Sequence, residues 1–289
     1  MGAADVVPGV SGGTIAFVAG IYEELIASIN RINLHAFQVL RKEGFLAAWK
    51  YINGNFFLAL LSGIFLSILS LAKIISYLIE NKPILVWSFF LGLVLASVLY
   101  VGKQVKKWNI QIVIGLLAGA VIAYIITLLP PQSANLSYAY IFFSGALAIC
   151  AMILPGISGS FILLLLGVYK PTLDALHDKN LVFLFFLASG AIVGILSFAK
   201  ILKWLFDHYE NITLAVLTGF IVGSLNKIWP WKEVVKSEVL DGKTIVLQDM
   251  SISPFNYSGD NQLWAAVLLF ALGFIVIIIL EVLANKKSV

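Results

Sequence analysis

Apolar stretches long enough to cross a lipid bilayer recur along most of this chain. A spanning helix needs about 20 predominantly apolar residues, and a soluble domain carries roughly 25% charged residues. This chain of 289 residues is 61% hydrophobic and only 12% charged, with a mean hydropathy of +0.99. The sequence therefore predicts an all-α polytopic membrane protein. Its spanning helices are expected over 55–80, 83–102, 109–129, 180–206, 212–227 and 262–284.

Two further segments contain the same helix-breaking motif, Pro-Gly-x-Ser-Gly. The first copy lies in "VPGVSGGT", which begins at Val7, and the second in "LPGISGS", which begins at Leu154. Proline ends a helix, and glycine lets the backbone turn where other residues cannot. Segment 138–176 is too long for one crossing and is broken near its middle. We therefore predict a re-entrant helical hairpin there, and a matching hairpin over 1–30.

The two halves of the chain are related by an internal duplication. Sliding by 147 residues aligns 7–22 with 154–169, with seven identities in sixteen pairs, and sliding by 127 aligns 60–80 with 187–207, with ten in twenty-one. Each copy contains one hairpin and three spans. Because three is odd, the second copy must be inverted relative to the first, as in many secondary transporters. The predicted inverted repeats cover 1–130 and 131–289.

The loops predict an orientation. Segment 31–54 has the pattern of an amphipathic helix at the membrane interface, and lysines and arginines concentrate there and at the neighbouring span ends. By the positive-inside rule, this side is cytoplasmic, together with the first hairpin and the C-terminus. The long loop 228–261 is then on the outer side. The first copy lacks a counterpart to 138–147, which favours a natural chain that begins upstream of Met1.

The repeated motif suggests a site for an anion. A broken helix in a bilayer leaves backbone groups unpaired at several kcal/mol each, unless protein, water or a ligand satisfies them. The start of the following helix presents free N–H groups to a negative charge. The alternative, that the small residues only permit a kink and close packing, stays open. The candidate phosphate-binding residues are Pro8, Gly9, Ser11, Gly12, Gly13 and Thr14 in the first copy, and Pro155, Gly156, Ser158, Gly159 and Ser160 in the second.

Charged residues near the motifs extend this hypothesis. Lys73 and Lys200 occupy equivalent positions in the two copies, and basic residues within membrane segments usually serve a function. We expect them to neutralise a bound phosphate, although a lysine reaching the interface is an equal alternative. Asp5 and Glu23 are candidates for coupling transport to protons or another ion, and the alternative for both is a solvated interfacial acid.

The remaining sequence argues against an enzyme. The one cysteine, Cys150, excludes an internal disulfide and a cysteine-based metal site. The sequence contains no zinc-protease, phosphate-loop or hydrolase motif. We expect no cofactor, no metal site and no nucleic-acid partner, and homo-oligomer formation stays open. The alternatives to a lipid-phosphate translocase are a carrier or channel for a small soluble anion, a lipid phosphatase and a structural subunit.

The stretches "ADVVPGVSGGTIAFVAGIYEELI" and "LPGISGSFILLLLGVY" resemble a bacterial and archaeal membrane family, formerly a domain of unknown function, that is assigned to polyprenyl-phosphate transport (the PopT type). The resemblance covers essentially the whole chain. It implies a multi-pass protein of the cytoplasmic membrane that binds a polyprenyl phosphate among the membrane lipids. It also implies that the protein returns undecaprenyl phosphate from the outer to the inner leaflet for cell-wall synthesis.

Overall fold

The computed structural model describes residues 1–2, 11–133, 136–240 and 243–286. Most of this part of the chain is helical, as expected for a polytopic membrane protein. We number the described helices in chain order. They are α1 (Gly12–Val18), α2 (Tyr22–Asn30), α3 (Leu34–Glu43), α4 (Phe45–Tyr51), α5 (Gly54–Asn81), α6 (Pro83–Gln104), α7 (Ile110–Leu128), α8 (Tyr138–Ile153), α9 (Gly159–Leu165), α10 (Tyr169–His177), α11 (Leu181–Ser224) and α12 (Leu263–Lys286).

The long helices begin and end close to the predicted spans, because polar residues bound each apolar run. The α7 helix starts after Asn109, whose side chain accepts a hydrogen bond from the backbone N–H of Ile112. Among the described residues, α5, α6, α7 and α11 with its 3-10 extension to Ile228 are long and apolar enough to cross a membrane. The count rises from four to six if the bent pairs α1–α2 and α9–α10 each cross once.

Helix α11 contains the break that the sequence predicts between two spans. Tyr209 has non-helical backbone angles, φ −138° and ψ 43°, inside an otherwise continuous helix. The loop that follows α6 covers this break. The Lys106 ammonium lies 3.0 Å from the Glu210 carboxylate, and the Lys106 amide donates to the Asn211 side chain at 2.8 Å. The polar sequence around Tyr209 thus separates two apolar helical segments.

Glycines allow the helices to pack backbone against backbone. A methyl group at Gly92 of α6 would overlap the Phe270 carbonyl of α12, and one at Gly219 of α11 would overlap the Leu116 carbonyl of α7. Small residues at such contacts are typical of helix association in membranes. Gly92 and Gly219 are related by the 127-residue offset of the duplication. The same kind of contact therefore occurs at two positions that the predicted duplication makes equivalent.

The predicted interfacial helix over 31–54 is divided in two. Gly44 has φ +87°, a left-handed backbone conformation that favours glycine. It ends α3 and precedes α4. Both helices expose large apolar side chains, including Leu34, Phe37 and Leu46.

The loop 228–261, which is predicted to lie on the outer side, contains strands, which the prediction of an all-α protein did not include. Strands β1 (Lys232–Leu240) and β2 (Lys243–Ser251) pair antiparallel. The hairpin sits at one end of the helical bundle, where Trp231 packs with Ile84 of α6 and Ala266 of α12. We call this the hairpin end of the molecule. The opposite end, which carries Tyr209, is the kink end.

Candidate functional site

The two interrupted segments contact each other directly. The Ser11 hydroxyl lies 3.3 Å from the Met152 carbonyl oxygen and 3.2 Å from that of Leu154, and it donates to this pair. In the other direction, the Gly156 backbone N–H donates to the Thr14 hydroxyl oxygen at 2.9 Å. The start of α1 is therefore hydrogen-bonded to the break between α8 and α9. We call this contact the motif crossing.

The first motif is closely packed at the motif crossing. A methyl carbon at Gly13 would lie 2.5 Å from the Ile153 carbonyl oxygen, closer than a side-chain carbon comes to an oxygen that is not bonded to it. Gly12 is also buried, and Ser11 and Thr14 are only 2% and 1% exposed. The Ser11 hydroxyl accepts from the Gly13 amide at 3.1 Å, so one expected phosphate ligand already has a partner within the chain. These residues have a packing role, whichever ligand they also contact.

The second motif is more open. The Ser158 hydroxyl caps α9 by accepting from the Phe161 amide at 3.3 Å, and it lies 2.6 Å from the Ser160 hydroxyl. Ser160 is exposed and Gly159 is half-buried. Within the described residues, the structure gives the amides of Gly159 and Ser160 no hydrogen-bond partner. Because α9 has seven residues, any attraction for an anion comes from these local groups more than from a long helix dipole.

The prolines and the first acidic candidate are only partly placed. Pro155 is fully buried at the motif crossing. Pro8, Gly9 and Asp5 lie outside the described residues, so their proposed roles stay predictions.

The equivalent lysines of the two copies lie on outward faces. Lys73 is exposed on α5 and Lys200 is exposed on α11. Helix α1 packs mainly on α2, α6 and α8. In the described part of the chain, neither lysine makes an ion pair. Their role in neutralising a phosphate therefore stays a prediction.

Glu23 lines a cavity of about 270 Å³ at the kink end. Glu24, Lys203 and Asp207 line the same cavity. The Lys203 ammonium is paired with the Asp207 carboxylate at 2.9 Å, and Glu24 accepts a hydrogen bond from the Asn53 side chain at 2.9 Å. Glu23 therefore faces a polar cavity with more carboxylates than lysines, which is consistent with either a coupling role or a solvated acid.

An apolar groove of about 480 Å³ lies beside α1. It is bounded by α1 on one side and by the first half of α5 on the other. Its described lining residues are apolar or small, so it can accept a hydrocarbon chain. They are Met1, Ile15, Ala19, Ile21, Phe56, Ala59, Leu60, Gly63 and Ile64.

The structure also contains a charged cluster that the sequence did not indicate. Lys227 lies in the 3-10 turn Leu225–Ile228 after α11, and Lys232 begins β1. Both ammonium groups contact the Asp249 carboxylate, Lys227 at 2.9 Å and Lys232 at 3.1 Å, each on a different oxygen. All three side chains are at most 20% exposed. We call this group the lysine pair. It lies at the hairpin end and carries one more positive than negative charge.

Burial and pairing shift the ionisation of the lysine pair. Burial is the largest influence on Lys232 and lowers its pKa, although the Asp249 carboxylate partly opposes the shift. Burial alone would raise the pKa of Asp249, but the Lys232 and Lys227 charges together outweigh it and leave the pKa below its ordinary value. Aromatic rings complete the surroundings, with the Lys227 ammonium 4.9 Å from the ring centre of Phe161 and the Lys232 ammonium 4.7 Å from that of Trp87.

These observations define a class: a polytopic helical membrane protein in which two broken-helix segments meet and a buried lysine pair lies beside one of them. The profile of a family described as VCA0040-like, undecaprenyl phosphate translocase-like, matches residues 1–245. The chain belongs to this family.

Two named relatives support this assignment. The chain is 45% identical over 291 aligned residues to a Vibrio cholerae protein named polyprenyl-phosphate transporter, covering 99% of this chain and 94% of the relative. It is 33% identical over 248 residues to a Staphylococcus aureus protein of the same name, covering 80% of this chain and 83% of the relative. No solved structure gives a significant match.

Proposed function

We propose that this protein translocates a polyprenyl phosphate across the bacterial cytoplasmic membrane, and that undecaprenyl phosphate is the substrate. The proposed net movement is from the outer to the inner leaflet, which recycles the lipid carrier for cell-wall glycan synthesis. The observation that carries the proposal is the near full-length similarity to a protein named polyprenyl-phosphate transporter. The proposed task is to move a phosphate monoester headgroup across the membrane while its tail stays in lipid. No bond is made or broken, so the protein acts as a transporter and not as an enzyme.

Two features of the structure support a headgroup path with access from both ends. Helix α2 lines the polar cavity at the kink end, whereas α9 lies under Lys227 at the hairpin end. The segments that follow the two motifs therefore approach opposite ends of the bundle. This arrangement favours the two inverted repeats, with the kink end cytoplasmic and the hairpin end outside.

The proposed headgroup ligands follow from the motifs. The most accessible of them are the exposed Ser160 and the amide of Gly159, which has no hydrogen-bond partner among the residues that the structure describes. The buried residues of the first motif become ligands only if α1 moves away from its contact with Gly156. Lys73 and Lys200 would then supply positive charge from the lipid-facing side, and Asp5 or Glu23 would couple the movement to an ion.

A proteoliposome assay tests this function. The purified protein is reconstituted with a fluorescent polyprenyl phosphate, and a membrane-impermeant quencher reports the fraction of label in the outer leaflet. We expect rapid exchange between leaflets for the phosphate but not for the corresponding uncharged polyprenol. Ser158→Ala should slow the exchange. Ser88→Ala should not, because the buried Ser88 hydroxyl only donates to Ile84 within its own helix.

The same preparation separates the rival functions. Flux of small anions without lipid exchange would favour a soluble-anion carrier or channel, and release of inorganic phosphate would favour a phosphatase. Either result in place of lipid exchange would contradict the proposal.

A further inference from the structure

The lysine pair is built around one carboxylate with two ammonium groups. Each oxygen of Asp249 contacts one lysine, and the Lys232 ammonium also donates to the Lys227 backbone carbonyl. Lys227 is 18% exposed and Lys232 is 14% exposed. A buried charge is costly unless it is paired, and here one positive charge has no counter-ion among the described residues. The cluster therefore favours a further anion.

The position of the lysine pair connects it to the second motif. The Lys227 ammonium sits over the ring of Phe161, the residue next to the exposed Ser160. The Lys232 ammonium sits over the ring of Trp87, near the start of α6. The two charges thus lie between the second motif and α6, at the end of the bundle where the β hairpin packs. An anion held here therefore lies beside α9, the helix that begins in the second motif.

We propose that Lys227 and Lys232 form a receiving site for the phosphate monoester headgroup at the hairpin end, and that Asp249 is a built-in counter-ion that the phosphate displaces. This inference rests on the proposed function and adds the residues that capture the lipid before it reaches the motif crossing. A phosphate monoester has more oxygen acceptors and more charge than one carboxylate. It can therefore contact both ammonium groups while Asp249 moves aside.

Displacement of Asp249 changes the pairing of the two lysines between the empty and the occupied site. Without substrate, Asp249 keeps the two lysines paired and the hairpin attached to the bundle. With substrate, the phosphate takes over the pairing, and the headgroup comes to lie beside Ser160. An uncharged prenol has no negative charge to pair with the lysines. The site therefore discriminates between lipids by the charge of the headgroup and not by the tail.

Binding measurements on charge variants test the inference. The full-length protein in lipid nanodiscs is titrated with undecaprenyl phosphate, and bound lipid is measured by native mass spectrometry. Lys227→Gln and Lys232→Gln should each weaken binding about tenfold, since a hydrogen bond to a charged group is lost. Asp249→Asn should strengthen binding, because the competing negative charge is gone. Lys82→Gln, at an exposed lysine in the turn before α6, is the matched control and should leave binding unchanged.

The sign of the Asp249→Asn effect separates this site from a structural clamp. If the cluster only anchors the hairpin, Asp249→Asn breaks the same ion pairs as the lysine variants and must weaken binding as they do. That result would overturn the inference, and so would unchanged binding in the lysine variants. A helical circular-dichroism spectrum and a monodisperse gel-filtration profile like those of the wild-type protein confirm that each variant retains the helical bundle.

A second titration distinguishes the source of the phosphate. Inorganic phosphate should compete only weakly with the lipid, and equal affinity for the two would overturn the assignment to a lipid headgroup. If the wild-type protein exchanges lipid in proteoliposomes while the lysine variants bind it normally, the inference fails and the proposed function stands. If the wild-type protein exchanges no lipid, the proposed function fails independently of these variants.

Discussion

Replacing Thr14 by valine tests the motif crossing. Valine has nearly the shape of threonine but lacks the hydroxyl oxygen that accepts from the Gly156 N–H at 2.9 Å. Thr14 is 1% exposed and Pro155 beside Gly156 is fully buried, so water cannot easily replace the lost acceptor. An unsatisfied buried donor costs about 1–3 kcal/mol. We therefore expect the free energy of unfolding to fall by about that amount, and lipid exchange to slow.

The matched control is the same substitution at Thr218 of α11. Thr218 is also 1% exposed, but its hydroxyl donates to the Leu214 carbonyl, one turn earlier in the same helix, at 2.7 Å. That carbonyl also accepts the ordinary helical hydrogen bond, so Thr218→Val leaves no backbone group unpaired. We expect a loss below about 1 kcal/mol. Thr14→Ser keeps the acceptor and should retain transport.

The measurement is denaturant unfolding in mixed micelles, followed by the proteoliposome exchange assay on the same preparations. Equal losses of stability for Thr14→Val and Thr218→Val would refute the reasoning, because the structure predicts an unpaired amide in only one of them. Full transport by Thr14→Val would show that the contact between the two motifs is not needed for function.

Two further predictions concern packing and pH. Gly190→Ala should destabilise the protein by about 1–3 kcal/mol, since its methyl group would overlap the Phe142 carbonyl. Gly63, which the predicted duplication makes equivalent, should accept alanine, because a methyl group there would meet no neighbouring element within 4 Å in the described part of the chain. Unfolding in micelles measures both losses, and equal losses would contradict the packing. The lowered pKa of Asp249 means that its contribution is present above its ordinary pKa of 3.8 and is lost as the pH falls below that value. The lowered pKa of Lys232 acts in the same direction, because stability then rises as the pH approaches its ordinary value of 10.5. Protease cleavage of the β hairpin should therefore increase in acid, and Asp249→Asn should remove the acidic part of that dependence.

The spanning helices could be predicted closely from the sequence. The prediction of a helix over 109–129 compares with Ile110–Leu128 in the structure. Such boundaries are local, because a bilayer admits apolar helices and polar residues end them. The break at Pro155 was also predictable, since proline and glycine act on their own backbone.

The β hairpin was missed although its signal is present. Two runs rich in β-branched residues flank the Asp-Gly pair at 241–242, a sequence typical of a tight hairpin turn. Because it lies between two apolar spans, the segment is predicted as a loop. The lysine pair was missed for a different reason: Lys227 and Asp249 are 22 residues apart, and only the folding of the hairpin onto α6 and α12 brings them together.

The motif crossing could not be predicted either, because a sequence shows where helices break but not which breaks touch. Its geometry nevertheless has a mechanical consequence. Any movement that carries α9 away from the bundle must either take α1 with it or break the bond between Gly156 and Thr14. Because Gly13 lies against the Ile153 carbonyl with no room for a methyl group, the two breaks cannot slide past each other independently. If the proposed headgroup displaces the second motif, we therefore expect the first motif to move as well, and with it α2, which lines the cavity at the kink end.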